Sequence, residues 1–215
     1  MSISAIVLAG GVGSRMGSTT AKQFLPLGEK LVIHHCLEVF FSSPDIQEVI
    51  VVCEPHYQPL LQNYPVKFAL PGQRRQDSLY QGFLQTSSPW ICIHDAARPF
   101  ISLSMLEQLF KEGKEVGAAV LAIPMRSTVK LCQGPWVEKT LDRQLLWEAQ
   151  TPQFLSREIL QKGFEHVHKH SITVTDDVML AELIGHPTKL VTGSPSNIKL
   201  TTAEDYQLAC AWSTS

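Results

Sequence analysis

Apolar residues enter this chain in short, often β-branched runs, separated by stretches in which they recur at helical spacing. Residues 4–9, 49–52, 90–93 and 117–123 are nearly continuous apolar runs, as expected of strands covered on both faces. Helical periodicity falls between them, over 30–41, around 77–86 and over 104–115. This alternation predicts βαβ units and an α/β fold, and right-handed crossovers then put helices on both faces of a mainly parallel sheet. The expected architecture is a three-layer αβα sandwich with a Rossmann-like sheet. Helical spacing returns at 157–167 and 176–184, followed by a strand at 188–191 and a closing helix at about 202–212.

Residues 124–154 depart from this scheme. The runs 128–132 and 136–139 flank the turn Gln133-Gly134-Pro135 and predict a projecting β-hairpin arm on a single domain spanning 1–215. A hairpin has too little core to stand alone, so the arm is expected to pack on something else.

Composition narrows the function classes. Of 215 residues, 44% are hydrophobic and 18% charged, and 18 Lys+Arg against 20 Asp+Glu give a formal net charge of -2. Without a basic tract the chain lacks the electrostatic footprint for duplex nucleic acid or an anionic membrane surface. No apolar run approaches the ~20 residues that span a bilayer, and the first residues lack the cationic and cleavage features of a secretory leader. A soluble cytoplasmic protein, with no nucleic-acid or membrane partner, is the expectation. The five cysteines, Cys36, Cys53, Cys92, Cys132 and Cys210, are widely spaced without a C-x-x-C pair, and are expected to be reduced core thiols.

The first strand runs into Leu8-Ala9-Gly10-Gly11-Val12-Gly13-Ser14-Arg15-Met16-Gly17, with Lys22 shortly after. Glycines after a first parallel strand let the backbone approach a phosphate chain. Their spacing fits neither G-x-x-x-x-G-K-[ST] nor G-x-G-x-x-G, which weakens both the P-loop and the dinucleotide-binding readings. Arg15 and Lys22 flank a Gly/Ser/Thr-rich bend, an arrangement suited to charge that grows on an α-phosphate and a leaving pyrophosphate. A surface loop with two solvated cations is the competing reading. Asp95 follows the strand at 90–94, so its carboxylate should emerge where open α/β sheets bind ligands, either to hold Mg²⁺ or to cap the next turn. Ser78 lies near a helix start behind Arg74 and Arg75; Asp77 or Ser78 is expected to cap that helix, and Ser78 reads first as a cap. His166 and His170 share a helical face at a spacing compatible with Zn²⁺, but no third ligand is aimed there, and they read as incidental.

Taken together these segments resemble the nucleotidyltransferases that join a nucleoside triphosphate to a sugar or polyol phosphate, and more narrowly the 2-C-methyl-D-erythritol 4-phosphate cytidylyltransferase family. Beyond the glycine turn, the matching segments are Lys22-Gln23, Pro26-Leu27-Gly28, Arg75-Gln76-Asp77-Ser78, His94-Asp95-Ala96-Ala97-Arg98-Pro99, Thr128-Val129-Lys130, Asp142-Arg143, Leu146-Trp147, Gln150-Thr151-Pro152-Gln153-Phe154, Thr175-Asp176-Asp177 and Asn197-Ile198-Lys199, in order over nearly the whole chain. The resemblance implies catalytic roles for Arg15 and Lys22 and a nucleotide site of Ala9, Gly10, Gly11, Gly13, Ser78, Asp95, Ala96 and Arg98, with Asp95 holding Mg²⁺. It further implies a homodimer, in which Arg143 reaches a neighbouring subunit's site from the arm, Lys199 serves its own subunit, and Thr128 and Arg126 add donors for the acceptor. One departure is Ser196, which stands where many members of the family carry an acidic residue near the metal.

The implied reaction is attack of a polyol phosphate oxygen on the α-phosphorus of CTP, with loss of pyrophosphate, and it calls for no protein nucleophile. A phosphate monoester is largely dianionic near neutrality, since its second pKa is about 6, so the attacking oxygen needs no general base. Two rival readings stay open on the residues alone: the same chemistry on ribitol 5-phosphate, and a nucleotide-binding module without catalysis.

Overall fold

The structure, a computed structural model, describes residues 1–11 and 20–213. Its elements in chain order are β1 (Ile3–Leu8), β2 (Pro26–Leu27), β3 (Lys30–Leu31), α1 (Val32–Ser42), β4 (Ile46–Val52), β5 (Lys67–Ala69), α2 (Arg75–Phe83), β6 (Trp90–Asp95), α3 (Leu103–Val116) and β7 (Ala118–Pro124). They continue with β8 (Val129–Gln133), β9 (Trp136–Leu141), β10 (Trp147–Ser156), α4 (Arg157–His170), α5 (Met179–Glu182), β11 (Lys189–Thr192) and α6 (Ala203–Ser213). Among the described residues, seven strands form one sheet in the order β11-β7-β10-β6-β1-β4-β5. The pairs β1/β4, β1/β6, β4/β5 and β7/β11 are parallel, while β10 runs antiparallel to both of its neighbours.

Strand alternation sorts the core into two layers. Ala5, Val7, Val51 and Cys92 point to one face and meet Leu37 and Phe40 of α1 and Leu106 and Phe110 of α3. Ile6, Ile50, Ile91 and Ile93 point to the other face and meet Leu79 and Phe83 of α2 and Leu160 and Phe164 of α4. Such side chains each contribute about 1.5–3 kcal/mol when fully buried, so the expected three-layer sandwich follows from the apolar runs. A Cβ at Gly82 would stand 2.7 Å from Ile6 Cγ2 and 2.9 Å from Val52 Cγ2, so α2 rests on the sheet at a spacing that needs glycine. That close seat fixes where the amino end of α2 meets the carboxyl ends of β1 and β6.

Three expectations change. The arm is shorter than 124–154: β8 and β9 form their own two-stranded sheet, but β10 belongs to the central sheet, so the excursion covers 125–146. Residues 150–155 are buried there, and their Gln and Thr content masks a strand that is satisfied by side-chain hydrogen bonds rather than by exposure. The helix expected at 176–184 contracts to α5, because Asp176 Oδ1 accepts the Met179 N–H at 3.1 Å and Asp177 is drawn into an ion pair. None of the five cysteines is in a disulfide, yet only Cys36, Cys53 and Cys92 are buried; Cys132 is exposed on the arm and Cys210 half-buried. Short elements that the pattern did not show are the β2/β3 hairpin, the edge strand β5 and a 3-10 turn at Pro55–Leu61.

Candidate active site

A cleft of ≈ 480 Å³ opens at the carboxyl ends of β1, β4 and β6, lined among others by Gly10, Gly11, Lys22, Ser78, Asp95 and Lys199. Open α/β sheets bind ligands at this edge. A Cβ on Gly10 would lie 2.5 Å from Pro71 Cβ, so the turn after β1 touches the loop after β5 with no room for a side chain. Gln23 Nε2 donates to the carbonyls of Ala9 and Gly11 at 2.5 and 2.9 Å and fastens the turn from below. Lys22 opens the 3-10 turn Lys22–Phe24, whose Phe24 ring stacks on Tyr57 at 4.0 Å, so the ammonium rises from an anchored base. Gly13 and Arg15 lie outside the described residues.

Asp95 closes β6 and carries the densest electrostatics in the cleft. Its Oδ1 accepts from Arg75 Nε and Nη2 at 3.1 and 3.0 Å, and its Oδ2 meets Lys199 Nζ at 2.6 Å. Burial alone would raise this carboxyl, but the charges of Arg75 and Lys199 win and hold it well below the usual carboxylate range. It is an anion at every physiological pH. Arg75 also grips Asp177 through both of that carboxylate's oxygens, at 2.5 and 2.9 Å. Burial opposes the Arg75 charge, yet Asp177 and Asp95 overcome this and keep its pKa raised.

Beneath Asp95 a neutral network sets its height. The Asp95 N–H donates to Thr151 Oγ1 at 3.0 Å, and that hydroxyl lies 3.0 Å from His94 Nδ1. His94 Nε2 faces the Arg98 carbonyl at 3.0 Å, which only accepts, so Nε2 carries the proton and Thr151 donates to Nδ1. Burial pushes the His94 pKa down to about 4, in keeping with a neutral ring. Asn197 Nδ2 donates to the Thr151 carbonyl at 2.9 Å, and Arg98 Nη1 donates to the Asn197 carbonyl at 2.7 Å. These bonds hold the loop that presents Lys199.

The structure therefore brings Gly10, Gly11, Lys22, Ser78, Asp95 and Lys199 together. Ser78 is not a helix cap: α2 begins at Arg75, Asp77 reaches back to the Arg74 N–H, and Ser78 Oγ accepts from the Gly72 N–H at 3.0 Å. Ala9, Ala96 and Arg98 sit behind the cleft as buried supports, with the Arg98 side chain turned to Asn197. Arg126, Thr128 and Arg143 are exposed on the arm and do not line this chain's own cleft; Arg143 Nη1 donates to the Arg126 carbonyl at 2.9 Å. The residues that sequence reasoning gave no role in the site are Arg75 and Asp177, whose Arg-Gln-Asp-Ser and Thr-Asp-Asp segments were the available signal.

The donor chemistry suits magnesium. Among the described residues no group of three or more His, Cys, Asp and Glu side chains is placed to hold a metal, and His166 and His170, with ring centroids 4.6 Å apart, have no third partner of that kind. Asp95 is a strand-end carboxylate in a cleft with cationic walls, and Mg²⁺ takes one or two carboxylates together with phosphate oxygens and water. Ser196 brings a hydroxyl that pairs with Ser194 Oγ at 2.7 Å, not a second carboxylate.

A glycine turn after the first strand and a lysine on the 3-10 turn that follows it, sharing one cleft with a strand-end carboxylate, define a nucleotidyltransferase. The chain belongs to the IspD family: the family model described as 2-C-methyl-D-erythritol 4-phosphate cytidylyltransferase matches residues 3–215. It is 44% identical over 208 residues to the 2-C-methyl-D-erythritol 4-phosphate cytidylyltransferase of Chlamydia pneumoniae, covering 97% of each chain. It is 41% identical over 217 residues to the chloroplastic enzyme of that name from Oryza sativa subsp. japonica, covering 97% of this chain and 73% of the relative. The crystal structure of 2-C-methyl-D-erythritol 4-phosphate cytidylyltransferase from Thermus thermophilus superposes with a TM-score of 0.87 at 26% identity over 100% of both chains. That from Francisella tularensis gives a TM-score of 0.86 at 28% identity, over 99% of this chain and 100% of its own.

Proposed function

We propose that this chain transfers the cytidylyl group of CTP to 2-C-methyl-D-erythritol 4-phosphate, giving 4-diphosphocytidyl-2-C-methyl-D-erythritol and pyrophosphate in the non-mevalonate isoprenoid pathway. The observation that carries the reading is the meeting of Gly10, Gly11, Lys22, Asp95 and Lys199 in one cleft. An oxygen of the acceptor phosphate forms the new bond to the α-phosphorus, the bond from that phosphorus to the β-phosphate breaks, and its electron pair leaves on pyrophosphate. Lys22 and Arg15 stabilise charge on the α-phosphate and the departing group, and Lys199 orients the acceptor phosphate. Asp95 holds Mg²⁺, which supplies positive charge to the triphosphate.

The working unit in this proposal is a homodimer. The arm exposes Trp136 at 78% and Leu145 at 79%, large apolar residues on the same excursion as Arg143 that a second copy would cover. Arg143 then completes the partner's acceptor site. We place the reaction in the cytoplasm, in keeping with five cysteines outside any disulfide.

Acceptor-dependent pyrophosphate release tests the function. Turnover with CTP and 2-C-methyl-D-erythritol 4-phosphate is expected, with little on ribitol 5-phosphate. The reverse preference would move the protein to the ribitol substrate, and CTP binding without release to a non-catalytic role.

A further inference from the structure

Arg75 divides its guanidinium between two carboxylates from distant parts of the chain. Nη1 and Nη2 donate to the two oxygens of Asp177 at 2.5 and 2.9 Å, whereas Nε and Nη2 both go to Oδ1 of Asp95. Oδ2 of Asp95 is thereby left to the cleft, where Lys199 meets it. The Asp177 side chain is 1% exposed, and its loop is tied from two sides. The N–H groups of Asp177 and Val178 both donate to Gln153 Oε1 at 2.8 Å, and the Val174 N–H donates to Gln76 Oε1 at 2.8 Å. The position of the Asp177 carboxylate is therefore set by β10 and α2.

We propose that Asp177 is a positioning residue for nucleotidyl transfer: by taking the two-pronged grip of Arg75 for itself, it confines Arg75 to one oxygen of Asp95 and reserves the other for the cleft. A guanidinium facing a single carboxylate favours the parallel arrangement in which both oxygens are occupied. At Asp95 that arrangement would close the oxygen that Lys199 now reaches. Charge points the same way. Two carboxylates around one guanidinium leave one negative charge in excess at the end of β6, which draws a second cation to Asp95, whereas without Asp177 the Arg75–Asp95 pair is already neutral. A role limited to neutralising a buried Asp177 would not require Arg75 to send Nε and part of Nη2 to Asp95.

The inference rests on the reading of Asp95 as the carboxylate that serves the triphosphate, so Asp95→Ala is measured alongside. The test compares Asp177→Asn, Asp177→Glu, Arg75→Gln, Arg75→Lys and the double variant Asp177→Asn/Arg75→Gln. For each, kcat and both KM values come from the pyrophosphate assay, and affinity for CTP with Mg²⁺ from calorimetry. Asp177→Asn is expected to lose about 10- to 100-fold in kcat, the usual cost of removing an outer partner of a metal-binding carboxylate. It should also bind CTP with Mg²⁺ more weakly, leave the polyol phosphate KM unchanged, and be partly rescued by Asp177→Glu. Arg75→Gln should show the same split, and adding Asp177→Asn to it should cost nothing further. A cooperatively melting Asp177→Asn with wild-type kcat and CTP affinity overturns the proposal, as do losses that multiply in the double variant. Should Asp177→Asn fail to fold, Arg75→Lys decides: it keeps the charge but replaces the planar fork with a single nitrogen, which cannot take both oxygens of Asp177 and still direct two N–H groups to one oxygen of Asp95, so kcat must fall, and wild-type turnover overturns the proposal. Full activity of Asp95→Ala would instead remove the reading of Asp95 beneath it.

Discussion

Lys199 Nζ stands 2.6 Å from Asp95 Oδ2, so the cation assigned to the acceptor phosphate and the carboxylate assigned to magnesium neutralise one another across the cleft. Lys199→Ala removes a charge-assisted bond of about 1.5–3 kcal/mol, which corresponds to roughly 10- to 100-fold in kcat/KM for the polyol phosphate. The affinity for CTP with Mg²⁺ should be unchanged or improved, because the ammonium no longer occupies Asp95 Oδ2. Steady-state kinetics with each substrate varied in turn checks this; an unaltered acceptor KM and kcat would remove Lys199 from the acceptor site.

Lys22→Ala and Arg15→Ala each remove a cation assigned to the developing negative charge, and each should lower kcat by about 10²–10³-fold. Melting temperatures should hold for Lys22→Ala, since Phe24 stacked on Tyr57 secures that segment without the lysine. Turnover close to wild type in both variants would refute the role given to the glycine turn.

How far this site can be read from sequence depends on how local its parts are. The glycine turn and Asp95 announce themselves because each follows an apolar strand, and strand ends converge in any parallel sheet; Lys22 is read with them because it comes shortly after that turn. The Asp177–Arg75–Asp95 chain does not, since it joins a loop, a helix start and a strand end through charges that look solvated one at a time. The place of β10 was equally hidden: Gln150, Thr151 and Gln153 fall within the stretch expected to be the projecting arm, yet they are buried and serve as the hydrogen-bond frame for Asp95, Asn197 and Asp177. Antiparallel insertion of such a strand between β6 and β7 is a decision of tertiary packing that residue periodicity does not encode.

Arg143 lies on the arm, outside this chain's own cleft, so its assigned role requires a second copy. Arg143→Ala should be nearly inactive alone, as should Lys22→Ala. Mixed and allowed to re-pair, the two variants form heterodimers with one intact site each. Random re-pairing in a two-fold dimer should then restore about a quarter of wild-type activity. No recovery, in a mixture shown by sedimentation to contain exchanged dimers, would place Arg143 outside the partner's site.

His94 gives the fold a pH dependence with a definite sign. Burial takes it from its ordinary value of 6.5 to about 4, so between these values the unfolded chain binds more protons than the folded one. Its contribution is complete above pH 6.5 and drains away as the pH falls toward 4. At ~1.36 kcal/mol per pH unit the loss is bounded at roughly 3 kcal/mol. Urea unfolding midpoints should fall across this window, and His94→Asn should flatten the slope. His34, also lowered chiefly by burial, leaves a shallower residual slope. An equal slope in wild type and His94→Asn would show that His94 is not the titrating group.

The central claim is that CTP is held at the turn after β1 with its phosphates between Lys22 and Asp95. A crystal structure of the protein with CTP and Mg²⁺ addresses it most directly. The triphosphate is expected against Gly10 and Gly11, with Lys22 at the phosphates and Asp95 on the metal. Nucleotide density elsewhere on the sheet, or a triphosphate without contact to Lys22 and Asp95, would contradict it.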